Sequence, residues 1–489
     1  MFSPLLRILQ ILVISAPAVF FGWLLWQELV PSGTFVVTKT PGISSPFVDR
    51  VLPDARVRSP EHLSSYEWVQ PIIGDPAFFF VHPHRSFKTV EAEVRFRNDE
   101  NVPIVEFGAR ANAPGETYDL RPLQNLLIDH SSWDRLEKDG MVLLQRKHIY
   151  DSLEDFLSDP PARATIATYH FTLEKLFRLV DVQPSPQRQI LDVSLRGPHE
   201  FFTYIKDETL RFDFGFMDMN RKEGGDSVRI VLVNEKGVPL ADRNLGDDGN
   251  VSEDREPSGM RTLRLEVPNL PEGVYKVQLQ AESDIFFRRI ATRQRYVTFL
   301  NHLTLGDEAG YREPSASVQF WTDASVLRFS TQHADAVQDV SVGSDSVSIP
   351  MPFQEVRHRV TQTGLVSVNV PEGDVIVNSD GLFAFSQDQY FDPDPTRLTS
   401  DTDLDRLGVN YIVAKYVPPR QEGDWLVANV SFDPSVLSFD KETWKFVVSL
   451  PGIQDTGKTF LLGPVKLTLR RDPLTWEWFV GEIRERLGM

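Results

Sequence analysis

The stretch Phe87-Lys-Thr-Val-Glu-Ala-Glu-Val-Arg-Phe-Arg-Asn98 alternates along its whole length. Val90, Ala92, Val94 and Phe96 fall on one side of a pleated chain, and Thr89, Glu91, Glu93, Arg95 and Arg97 on the other. A period of two residues puts one face into a core and leaves the other in water, so the stretch predicts a half-buried β-strand. The same grammar recurs downstream. Leu210, Phe212, Phe214 and Phe216 alternate with Arg211, Asp213 and Gly215, and Leu263, Leu265 and Val267 alternate with Arg264 and Glu266. Shorter runs follow at Val318 and Phe320, Val366 to Val370, Val375 and Val377, Ile412 to Tyr416, Phe446 and Val448, and Val465 to Leu469. Asn234-Glu-Lys-Gly237, Asp247-Asp-Gly-Asn250, Pro371-Glu-Gly-Asp374 and Asn378-Ser-Asp-Gly381 supply the turns. The fold class is therefore read as mainly β, built from tandem antiparallel β-sandwich modules.

Breaks in this pattern suggest where the modules end. Residues 27–65 mix Pro, Ser, Gly and charge and read as a stalk. The expected modules are 66–189, with a short helix, then 190–305, 306–397 and 398–471. Asp151-Ser-Leu-Glu154 has the form of a capping box for that helix, which Pro160-Pro161 would stop. Asp472-Pro473 opens a C-terminal amphipathic helix, 472–489, with Trp476, Phe479, Val480, Ile483 and Leu487 on one stripe.

Residues 8–26, ILQILVISAPAVFFGWLLW, carry no charge. As a helix they would span roughly 28 Å, close to the hydrocarbon core of a bilayer. Ala16-Pro17-Ala18 has the form of a signal-peptidase site, but Val19 to Trp26 continues as apolar as before, so an uncleaved transmembrane helix is expected. Arg7 stands on the short side, so residues 1–7 are expected in the cytoplasm and the body outside it, in single-pass topology at the cell membrane. The first partner is then the lipid bilayer.

The chain has 489 residues and a formal net charge of −18, which argues against nucleic acid as a partner and suits neutral glycans, cations or basic protein surfaces. It contains no cysteine, which removes disulfides, thiolate metal sites and cysteine nucleophiles, and points to a bacterial envelope.

Leu270-Pro-Glu-Gly-Val-Tyr-Lys-Val-Gln-Leu279 resembles the penultimate strand of immunoglobulin-like and bacterial cell-surface β-sandwich domains. The resemblance covers about 110 residues and stays at superfamily level, without the cysteine pair of antibody domains. It implies an Ig-like or jelly-roll-like sandwich at 190–305, with Tyr275 at a sheet corner, and it carries over no catalytic residue.

Several patterns bear on chemistry. Gly452-Ile-Gln-Asp-Thr-Gly457-Lys458-Thr459 satisfies the phosphate-loop pattern, but Gly463 and Pro464 forbid the helix that a phosphate cradle needs. A hairpin loop and no nucleotide are expected there. Asp401, Asp403 and Asp405 have the spacing of a calcium loop, yet Arg406 and Ile412 stand where an EF-hand needs Gly and Glu. Asp218, Asn220 and Asp226, and the turn Asp247-Asp248-Gly-Asn250, are further oxygen-rich stretches. Solvated turns account for all of these, and structural calcium is the one cofactor they would hold. His82-Pro-His84 could begin a zinc site only with ligands from elsewhere. No nucleophile elbow, zinc-protease helix or dinucleotide turn occurs. The expected function is a membrane-anchored extracytoplasmic binding or structural protein of the cell envelope, taking a glycan or another envelope protein. The alternative is a membrane-tethered carbohydrate-active enzyme or its accessory subunit.

Overall fold

The computed structural model describes residues 15–17, 19–20, 32–64, 67–83, 86–112, 117–180, 182, 184, 187–250, 253, 256–306, 317–440, 442–473 and 475. The fold is mainly β, with several sheets and only short helices among the described residues. No helix among them is long and apolar enough to cross a membrane. Of the expected span 8–26 only residues 15–17 and 19–20 are described, and they are helical. The expected C-terminal helix lies outside the described residues from 476 onward.

The chain divides into two compact units, residues 1–132 with 415–489, and residues 133–414. In the first unit, Thr89–Arg97 is the centre of an antiparallel sheet, with Phe460–Arg470 on one side and Trp425–Phe432 on the other. A four-stranded sheet, ordered Ala77–Val81, Trp444–Ser449, Ile104–Asn112, Thr117–Asn125, shares one core with it. Val90, Ala92, Val94 and Phe96 point into that core as their alternation requires. Phe432 from one sheet meets Phe107 and Phe446 from the other, with ring centroids 6.0 and 5.7 Å apart. Two sheets facing each other across aromatic side chains give a sandwich-like layer arrangement.

This pairing joins segments that the expected boundaries kept apart, 66–189 and 398–471. Alternation reveals that a segment is a strand and which face it buries, but not which distant strand it joins. The expected stalk also differs. Thr34–Lys39 is a strand on the edge of Phe460–Arg470, in register from Thr34 opposite Arg470 to Lys39 opposite Val465. Only three of these six residues are apolar, so an edge strand here reads as loop.

The second unit contains a small sheet in which Ile166–Tyr169 runs parallel to both Thr396–Arg397 and Tyr411–Lys415. Beside it lies the helix Leu153–Ser158, whose Phe156 and Leu153 pack on Leu143, Ile166 and Val413. Its cap is Ser152, whose Oγ accepts from the Asp155 N–H at 3.1 Å. The expected box was thus one residue early. Asp151 instead meets His148, and Glu154 pairs with Lys138.

Two larger sheets share one core in this unit. One holds Leu210–Asp218 between Arg261–Val267 and Ile285–Thr292. In the other, Gly273–Gln280 lies between Val228–Asn234 and His199–Ile205, and Thr298–Thr304 carries the ladder on to Val375–Ala384. That ladder crosses the expected boundary between 305 and 306. Phe212, Phe214 and Phe216 are fully buried between the sheets. Tyr275 is buried too and donates its hydroxyl to the Pro271 carbonyl at 2.7 Å.

Candidate metal centre

At one end of these two sheets the chain gathers acids. Asp218 closes the strand Leu210–Asp218, and Asp284 directly precedes its neighbour Ile285–Thr292, with Asp218 opposite Ile285. Asp226 leads into Val228–Asn234 of the other sheet, while Asp247 and Asp248 follow Pro239–Leu245. One carboxylate oxygen from each of Asp218, Asp226 and Asp284 lies within 4.8 Å of the others. The same limit holds for Asp218, Asp247 and Asp248. These five acids make up the two such groups found among the described residues.

Local backbone sets their positions. Asn220 adopts a left-handed conformation at φ +46°, which asparagine tolerates, and turns the chain back immediately after the strand. Its N–H donates to Asp218 Oδ1 at 2.9 Å, and its side-chain amide donates to the Glu256 carbonyl at 2.6 Å. Asp284 Oδ2 accepts from the N–H groups of Arg221 and Lys222 at 3.0 and 2.7 Å. Asp247 Oδ1 accepts from the Asp226 N–H at 3.0 Å, and its other oxygen accepts from Gly249 at 2.9 Å.

The remaining oxygens of the two deepest acids differ from these. Asp218 Oδ2 and Asp284 Oδ1 are sealed from solvent and have no hydrogen-bond partner. Electrostatics reflect the crowding. Burial first, and then the charges of Asp218 and Asp284, push Asp226 up to about 6. Burial likewise raises Asp218, with Asp248, Asp284 and Asp247 adding to it. Asp247 is lowered, because backbone N–H groups of Asp226 and Gly249 favour its charged form.

Asp218, Asn220 and Asp226 are thus brought together with the turn at Asp247. Asp284 was missed, because its distance in sequence from Asp218 and Asp226 hides that it lies beside them. Asp401, Asp403 and Asp405 have other roles. Asp401 is held by Arg357 and by Arg359 at 3.0 Å, with Arg328 at 3.9 Å. Asp403 caps the N–H groups of Asp405 and Arg406 at 3.2 and 3.0 Å, and Asp405 pairs with Arg146.

The other candidates have definite surroundings. His82 Nε2 lies 3.1 Å from Asp49 Oδ1, and His84 lies outside the described residues. Gly452 and Gly457, at φ +76° and +66°, bracket the single turn Ile453–Thr456. Lys458 then donates to the Asn101 carbonyl at 2.7 Å, and the strand Phe460–Arg470 begins. This segment joins strands of two different sheets, so it is a crossover rather than the expected hairpin. A second group of acids lies within the same unit as the aspartate cluster. Burial and then Asp323 hold Asp392 well above the usual carboxylate range. Burial raises Asp323 as well, although the Leu382 N–H and the Tyr390 hydroxyl oppose the rise.

No protein-family model matches the chain, and no curated protein matches it. Among solved structures, it is similar to one of the infectious bursal disease virus Gt strain, at 9% identity over 94% of this chain and 89% of that one, with a TM-score of 0.15. Dimeric latent PorU from Porphyromonas gingivalis matches at 11% identity over 72% and 31% of the two chains, with a TM-score of 0.13. Tripeptidyl peptidase 2 matches at 7% identity over 92% and 38%, with a TM-score of 0.17. Scores this low carry no argument about shared fold or function. Any functional reading has to come from the chain's own residues.

Proposed function

We propose that this chain is a membrane-anchored extracytoplasmic binding or structural protein of the cell envelope, with residues 8–26 in the bilayer and a glycan or another envelope protein as its ligand. The observation that carries the reading is the uncharged stretch 8–26, which stands directly ahead of a body made of sheets. Arg7 on the short N-terminal side favours export of the body. Within that body we read 190–305 as an Ig-like sandwich. The support is the corner geometry of Tyr275, whose hydroxyl returns to backbone four residues upstream.

A glycan ligand is supported by a cleft of about 400 Å³ in the second unit, bounded by Trp133, Arg146, Arg359 and Asp403 to Asp405. An indole beside charged hydrogen-bonding groups suits a sugar, which offers both a C–H face and hydroxyls. The Arg146 guanidinium sits 4.5 Å over the Trp133 ring and holds it in place. A glycan array probed with the full chain tests this. Binding that Trp133→Ala abolishes is expected, and binding indifferent to Trp133→Ala and Arg146→Ala would exclude the cleft. The alternative of a tethered carbohydrate-active enzyme has its own support in Asp323 and Asp392, two interacting carboxyl groups that burial raises together, since glycoside hydrolysis uses a pair of carboxyl groups.

A further inference from the structure

We propose that Asp218, Asp226, Asp284, Asp247 and Asp248 form a calcium site that clasps the ends of two sheets in the second unit. The inference goes beyond the anchored binding protein proposed above and does not depend on it.

Acidic loops are common at sheet ends, and most of them are solvated. This one differs in two atoms. Asp218 is 0% exposed and Asp284 1%, and each has one oxygen satisfied by backbone N–H while the other is buried without a partner. A buried carboxylate oxygen without a donor is costly, and two such acids in one cluster repel each other as well. No basic side chain donates a hydrogen bond to Asp218 Oδ2 or Asp284 Oδ1, although the charge of Arg261 favours the ionised form of Asp247. Lys222 Nζ donates to Ser283 Oγ at 2.8 Å, and Arg261 Nη2 donates to the Gly246 carbonyl at 2.5 Å. A cation among the carboxylates would satisfy both orphaned oxygens and cancel the repulsion.

The donor set selects the ion. Every candidate ligand is a carboxylate, and the chain has no cysteine, so a soft or borderline metal finds nothing it prefers. Calcium binds oxygen at about 2.3–2.6 Å, so two ligands on opposite sides of it stand about 4.8 Å apart. Oxygens that all lie within 4.8 Å of one another, as in each of the two aspartate triads, are close enough to ligate one such ion. The ligands come from separate loops of irregular shape, which calcium tolerates with six to eight ligands and magnesium, with its strict octahedron, does not. Its effect follows from where the acids stand. Asp218 and Asp284 end strands of one sheet, and Asp226, Asp247 and Asp248 flank strands of the other, so one ion would bridge both.

The experiment is calorimetric titration of calcium chloride into the full chain after chelator treatment, with a thermal melt alongside. The expected result is a saturable site, a calcium-dependent rise in one melting transition, and much weaker binding of magnesium. Asp226→Asn should weaken calcium binding about tenfold or more, because affinity follows ligand charge. Asp403→Asn should leave it unchanged. Asp248 is exposed, so Asp248→Asn should fold even if a deeper variant does not, and it should also weaken binding. Folded protein that binds no calcium, or binding lost in Asp403→Asn and kept in both Asp226→Asn and Asp248→Asn, would overturn the site.

Discussion

Tyr275 donates its hydroxyl proton to the carbonyl oxygen of Pro271, 2.7 Å away and four residues earlier in the chain. The bond fastens the turn Pro271-Glu272 to the strand Gly273–Gln280, while the ring packs in the core with Phe201 and Val277. Tyr275→Phe should cost about 1 kcal/mol, since it removes one partly buried hydrogen bond. Tyr275→Ala should cost about 3–5 kcal/mol, since it also leaves a ring-sized cavity. Urea unfolding reads both, and a Tyr275→Phe variant as stable as the parent would show that the hydroxyl does nothing.

His199 is wholly buried, with Nδ1 3.2 Å from the Gly197 carbonyl and Nε2 accepting from the Thr304 N–H at 3.1 Å. That arrangement fits only the neutral ring, because a proton on Nε2 would face another N–H. Burial pushes its pKa down to about 4, below the ordinary 6.5, so the unfolded chain takes up the proton first. Its contribution is full above about pH 6.5 and is lost as pH falls toward 4, on the order of 3 kcal/mol in all. The buried acids Asp323 and Asp392, whose pKa values are raised, act with the opposite sign. The informative quantity is therefore the difference between the protein and His199→Gln, measured at pH 7 and pH 4.5. A difference that does not change with pH would contradict this role for the buried ring.

A chain ending at Ala414 lacks Trp425–Phe432 and Phe460–Arg470, both neighbours of Thr89–Arg97. Such a fragment should leave residues 32–132 open to limited proteolysis while 133–414 resists it. Equal protection of the two parts would mean that the first unit does not need its C-terminal strands.

The Lys458 side chain makes an exposed bond to the Asn101 carbonyl. Lys458→Ala should change stability by no more than about 0.5 kcal/mol and leave any activity as it was. ATP binding that this substitution removes would restore the phosphate-loop reading.

Much of the fold was legible in the sequence, and the parts that were not share a cause. Val90 to Phe96 and Leu210 to Phe216 announced their buried faces because burial imposes a period on each strand by itself. Asp218, Asn220 and Asp226 stood out for a different local reason, the crowding of oxygen-bearing side chains into one short stretch. What stayed hidden is relational. Nothing near Thr89–Arg97 says that strands more than 300 residues later will flank it, and nothing near Asp284 says that Asp218 lies beside it. The edge strand Thr34–Lys39 was invisible because an edge can form with little apolar content when its partner supplies the ladder.

The position of the body relative to the membrane can be measured directly. The full chain, expressed in a bacterial host, is exposed to protease in intact spheroplasts, and the membrane pellet is then probed for both ends. The prediction is digestion of everything beyond residue 32, with an N-terminal fragment containing residues 8–26 retained in the pellet. Full-length protein that survives the protease, or that appears in the soluble fraction, would contradict it.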